Sequence, residues 1–117
     1  MITKKDEREM RIGSSVLAIV KMSCNEVDPK FDLAFQFQGS ETPLFGPGGI
    51  FDSLDLVRMT IYLEQAIRVR FDVSIQLANE KAMSQENSPF LTVQSLFEYT
   101  VDLVYEELWE KGDVPRD

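Results

Sequence analysis

Gly46-Pro47-Gly48-Gly49-Ile50-Phe51-Asp52-Ser53-Leu54-Asp55-Leu56 is the stretch of this chain on which the fold reading turns. Three glycines and a proline in four positions make a tight turn, and neither helix nor strand runs through it. Directly after it, Leu56, Met59, Leu63, Ala66 and Ile67 recur at helical spacing. That spacing predicts a helix from Ser53 to about Arg70. Asp52 or Ser53 is placed to cap it, and Asp55 lies in its first turn, where a carboxylate suits the positive end of the helix dipole.

Upstream, residues 3–22 read as a first helix. Thr3 is its cap, Asp6 and Glu7 occupy the first turn, and Ile12, Val16, Leu17, Ile19 and Val20 form the apolar stripe. Gly13 weakens it slightly. Residues 25–52 then read as one long connection, because Pro29, Pro43, Pro47 and the glycines oppose continuous helix. Within it Phe31, Leu33, Phe35 and Phe37 alternate with polar residues, which predicts an extended segment with one buried side. No partner strand is evident, so the segment is expected as a loop laid over the helices. Downstream, Phe71-Asp72-Val73-Ser74-Ile75 leaves the second helix, and a short helix is expected over Leu77–Met83. Gln85 to Pro89 is a break. A last helix runs from Thr92, its cap, to about Trp109, with Val93, Leu96, Phe97, Val101, Val104, Tyr105 and Leu108 three and four apart. Gly112 and Pro115 end it, and a frayed tail is expected over 111–117. The fold class is all-α: a four-helix bundle with three main helices, one short third helix and a long first loop. It forms a single domain over 1–117, with its core in about 3–110.

Composition narrows the function. The chain has 117 residues, 44% of them apolar and 10% aromatic, as expected for one globular domain. No apolar run is long enough to span a bilayer, and the first residues do not resemble a secretion signal, so a cytoplasmic location is expected and a membrane partner is not. The net charge is −8, which repels nucleic-acid backbones and attracts basic partners. Cys24 stands alone, so no internal disulfide forms, and a buried, idle thiol is the expectation. Histidine is absent. The commonest general base and metal ligand is therefore missing, and no metal site is expected.

Ser53 is a poor nucleophile by this reading, since no histidine can activate it and its neighbours are not the Gly-x-Ser-x-Gly elbow of hydrolases. It is a better place to hold a phosphate, because the amides of a first helical turn lack internal partners and the dipole end is positive. Gly48 and Gly49 leave room for another protein to reach the hydroxyl. Asp52 and Asp55 oppose added negative charge and make more sense as handles for a basic modifying enzyme. The same helix carries a second apolar set, Leu54, Val57 and Ile61, with Arg58 beside it. Either the long loop buries that set, or it stays partly exposed and binds other proteins.

Asp52-Ser53-Leu54-Asp55 resembles the attachment motif of acyl and peptidyl carrier proteins. The resemblance covers about residues 41–105. Phe71-Asp72-Val73-Ser74-Ile75 is similar to the family's turn after its second helix, and Thr92-Val93 with Leu96 and Tyr99 to the start of its last. It implies a bundle of acyl-carrier type that is not itself an enzyme, with 4′-phosphopantetheine attached to Ser53, between Asp52 and Leu54. The arm would hold an acyl or aminoacyl cargo as a thioester. The implied partners are a phosphopantetheinyl transferase, a loading ligase and a downstream acyltransferase or synthase. They would grip the second helix at Leu54, Asp55, Val57, Arg58, Ile61 and Glu64. A monomer is the default state.

Two departures point to a dedicated biosynthetic pathway. The second helix sets Asp55 and Glu64 against Arg58, Arg68 and Arg70, whereas carriers of fatty acid synthesis tend to be acidic there. The acidity lies instead in the last helix, at Glu98, Asp102, Glu106, Glu107 and Glu110, a run that reads first as a solvated face. The 25–50 loop is also longer than a minimal carrier needs. The competing expectations are an unmodified, carrier-like helical adaptor that binds proteins through the second helix, and, more weakly, a hydrolase using Ser53.

Overall fold

The computed structural model describes residues 4–79 and 88–112. Four α-helices lie among them: α1 (Lys4–Val27), α2 (Lys30–Gln38), α3 (Ser53–Phe71) and α4 (Val93–Lys111), with a 3₁₀ turn over Gly39–Glu41. No strand is present among these residues, only two isolated bridges, Pro43 with Thr92 and Phe45 with Phe51. The architecture is an all-helical bundle. None of the helices among the described residues is long and apolar enough to cross a membrane.

The apolar stripes read from the sequence meet in one core. Val16 and Val20 of α1, Leu56, Met59, Leu63 and Ile67 of α3, and Val93, Leu96 and Val104 of α4 are all fully buried. The long α1 packs against both α3 and α4, which touch each other much less. Cys24 is buried in this core, and the loss of solvent pushes its thiol pKa up to about 12. It is therefore a protonated packing group rather than a reactive thiol.

The region before the serine differs from the expectation. Helix α1 continues through Val27, and the alternating Phe31–Phe37 segment is helical, not extended. Both periods were available in the residues. Phe31 and Phe35 are four apart and share one helical face, as are Leu33 and Phe37 on another. Phe31 is buried and stacks on Phe35 with ring centroids 5.7 Å apart, while Lys21 Nζ sits 4.5 Å above the Phe35 ring. Leu33 and Phe37 are exposed. A helix satisfies its own backbone groups, whereas an extended segment here had no partner strand. Pro29 lacks an N–H and divides α1 from α2, and Asp28 Oδ1 accepts the Lys30 N–H at 3.0 Å.

The segment after α3 is extended. Asp72 takes a left-handed conformation (φ 56°) and ends the helix. Val73, Ile75 and Leu77 then point inward, with Ser74 and Gln76 outward. The short helix expected over Leu77–Met83 is not helical at Leu77, Ala78 and Asn79; the rest of it lies outside the described residues. The last helix persists to Lys111, two residues beyond the expected end, before the left-handed Gly112. Lys111 is thus helical, not part of a frayed tail. Its Nζ lies 3.1 Å from Asp72 Oδ2 and ties the ends of α3 and α4 together.

Candidate functional site

Ser53 is positioned by a loop that folds back on itself. The Gly49 N–H donates to the Gly46 carbonyl at 2.9 Å, with Pro47 and a positive-φ Gly48 (77°) between, the arrangement of a type II turn. The turn sends the chain back beside itself, so that Phe51 N–H donates to the Leu44 carbonyl at 2.7 Å and Ile50 N–H to that of Pro43 at 3.3 Å. Gly49 is required by space: a Cβ there would lie 2.6 Å from the Leu44 carbonyl oxygen. The other side of the same strip is held by the start of α4. Leu44 and Phe45 N–H groups donate to Leu91 and Phe90 carbonyls at 2.8 and 3.1 Å, and Val93 N–H donates back to Thr42 at 3.1 Å. Leu44, Phe45, Phe51 and Phe90 are buried beneath. Through this backbone pairing the position of Ser53 is referred to α4 as well as α3.

Asp52, not Ser53, is the cap. Asp52 Oδ1 accepts the Asp55 N–H at 2.8 Å, and Asp55 Oδ2 accepts the Asp52 N–H at 3.3 Å, a reciprocal capping box. Ser53 is the first helical residue and is exposed. Its hydroxyl has no hydrogen-bond partner among the described residues. Neither Asp52 nor Asp55 is hydrogen-bonded to it, and no group of side chains among the described residues could hold a metal ion.

Leu54, Val57, Arg58 and Ile61 follow at i, i+3, i+4 and i+7 and lie on one outward face of α3. Leu54 is 68% exposed, Ile61 49% and Val57 40%, so the long loop does not cover them. Glu64, grouped with them on sequence, is half-buried and has a job inside the fold: its Oε2 accepts the Leu77 N–H at 2.8 Å. Tyr99 donates from its hydroxyl to the Leu77 carbonyl at 3.3 Å. These two side chains satisfy both backbone groups of Leu77 in the absence of a partner strand. Two features of the site were not read from the sequence, the pairing of 42–45 with 90–93 and the engagement of Glu64. Only Gly49, inside a glycine-proline cluster, carried a local signal.

No family model matches the chain, and no curated protein or solved structure matches it.

Proposed function

We propose that the chain is a free-standing carrier protein of acyl-carrier type, with 4′-phosphopantetheine on Ser53, serving a dedicated biosynthetic pathway. The observation that carries this reading is the condition of Ser53. It stands exposed as the first residue of a helix whose capping box is formed by Asp52 and Asp55. A serine at a helix start often occupies the cap position, but here Asp52 holds it and Ser53 is the first helical residue. This one is relieved of that role, so its hydroxyl is available to a modifying enzyme at no cost to the helix.

The residues present fit the group. The first amides and the dipole end of α3 favour a phosphodiester by about 0.3–1 kcal/mol. Asp52 and Asp55 oppose it and favour a basic transferase. In attachment, Ser53 Oγ bonds to phosphorus, the phosphoanhydride of coenzyme A breaks, and adenosine bisphosphate leaves with the bonding pair. The hydroxyl proton passes to a base on the transferase, since no base of this chain is bonded to Ser53 among the described residues. The arm supplies a thiol on which a ligase places an acyl or aminoacyl cargo and from which an acyltransferase or synthase takes it. The chain contributes position, since tethering raises the local concentration of the cargo.

The exposure of Leu54, Val57 and Ile61 supports the partner-binding part of the reading. Full burial of such a side chain is worth about 1.5–3 kcal/mol, and each of the three leaves a part of that unrealised. The same face favours a second reading, an unmodified adaptor, because it forms without any arm. Intact mass after incubation with coenzyme A and a broad-range phosphopantetheinyl transferase separates the two. One addition, absent in Ser53→Ala, is the expected result. No addition, with a known carrier modified in the same tube, puts the adaptor first.

A further inference from the structure

Both acidic side chains of α3 are tied into the fold. Asp55 completes the capping box, and Glu64 accepts the Leu77 N–H. Two of its three arginines are not. Arg58 and Arg68 are exposed and have no hydrogen-bond or ion-pair partner among the described residues. The third, Arg70, donates to Ser15 Oγ at 3.3 Å. Leu54, Ile61 and Arg68 fall at i, i+7 and i+14, with Arg58 to the side at i+4, so one guanidinium lies beside an exposed apolar strip and the other beyond its far end. Ten residues separate them, about 15 Å along the axis. On a chain of net charge −8 this outward strip is basic beyond its first turn, whereas α4 exposes Glu98, Asp102, Glu106 and Glu110. At physiological salt the Debye length is about 8 Å, so the charges inside a contact on α3 weigh more than those elsewhere on the surface.

We infer that this face of α3, beyond the Asp52–Asp55 turn that favours the basic transferase, docks the other partner proteins through an apolar ridge of theirs flanked by carboxylates, the opposite of the basic partners that the net charge would select. The inference rests on the carrier reading in taking the surface beside Ser53 as the one its enzymes meet. Charge complementarity selects the occupant, and the apolar strip supplies the area.

The test uses the full chain, isotope-labelled, titrated by NMR with two synthetic helical peptides. The peptides share one leucine ridge and differ only in flanking glutamates or flanking lysines. The glutamate peptide is expected to shift the amides of residues 54–68 and to bind there roughly fivefold to tenfold tighter than the lysine peptide, the size expected from two partly exposed charge pairs. The double variant Arg58→Glu, Arg68→Glu is expected to reverse that preference. A preference for lysine on α3, no shift of α3 by either peptide, or a preference unchanged in the double variant would overturn the inference. So would concentration-dependent dimerisation through this face in sedimentation, which would make a second copy the occupant. Ser53 loading is measured in parallel by mass. Loading without acidic preference sinks the docking inference alone, and acidic preference without loading sinks the carrier reading alone.

Discussion

Helices α3 and α4 both begin with a capping box, and each box has a serine beside or inside it. The two serines have opposite fates. In α4, Thr92 Oγ1 accepts the Ser95 N–H at 3.1 Å, and Ser95 Oγ accepts the Thr92 N–H at 3.0 Å while donating to the Pro89 carbonyl at 2.8 Å. Ser95 is half-buried and fastens the 88–92 turn to the helix. In α3, two aspartates form the box, and Ser53, one position inside it, bonds to nothing among the described residues. The motif is shared, but Ser95 stands at the third helical position and Ser53 at the first. What separates the two serines is that Ser95 is itself half of its capping box, whereas the α3 box is closed by two aspartates and leaves the Ser53 hydroxyl outside it.

The comparison can be broken or sharpened by substitution. The largest effect is expected on loading: Ser53→Ala abolishes phosphopantetheine addition, while Ser95→Ala retains it in the same mass assay. Gly49→Ala comes next. Its Cβ would strike the Leu44 backbone, which cannot move without disturbing the pairing to α4. A loss of about 1–3 kcal/mol in urea unfolding is expected, with slower loading because Phe51 and Asp52 shift. Ser95→Ala is expected to cost about 1–2 kcal/mol, since it removes half of a cap and leaves the Pro89 carbonyl without its hydroxyl. Asp52→Ala is expected to cost about 0.5–2 kcal/mol by opening the α3 box. The smallest change is the stability of Ser53→Ala itself, within about 0.5 kcal/mol of the parent. A Ser53→Ala loss equal to that of Ser95→Ala would erase the distinction between the two serines.

Much of this was legible before any coordinates. The starts of α3 and α4, the stop at Gly112 and the inward stripes all follow from local rules, since helical spacing and caps act within a few residues. Alternation was the ambiguous signal. Phe31, Leu33, Phe35 and Phe37 alternate and form a helix, whereas Val73, Ile75 and Leu77 alternate and stay extended. Nothing in either pattern alone distinguishes them. The first finds α1 to pack Phe31 and Phe35 against, and the second finds Glu64 and Tyr99 to satisfy Leu77.

For the site, the sequence by itself determined that Ser53 begins a helix, that Asp52 and Asp55 stand at its first turn, and that Leu54, Val57, Arg58 and Ile61 share a face, because these relations are set by a single helical period. It left open whether Asp52 or Ser53 is the cap, whether that face is covered, and where Glu64 points. Only the tertiary structure decided these. The Thr42–Phe45 strip pairs with 90–93 and so cannot lie over α3, and Leu77, thirteen residues from Glu64, needs an acceptor for its N–H. Long-range backbone hydrogen bonds obey geometry rather than residue type, so they leave no mark on the local pattern of side chains.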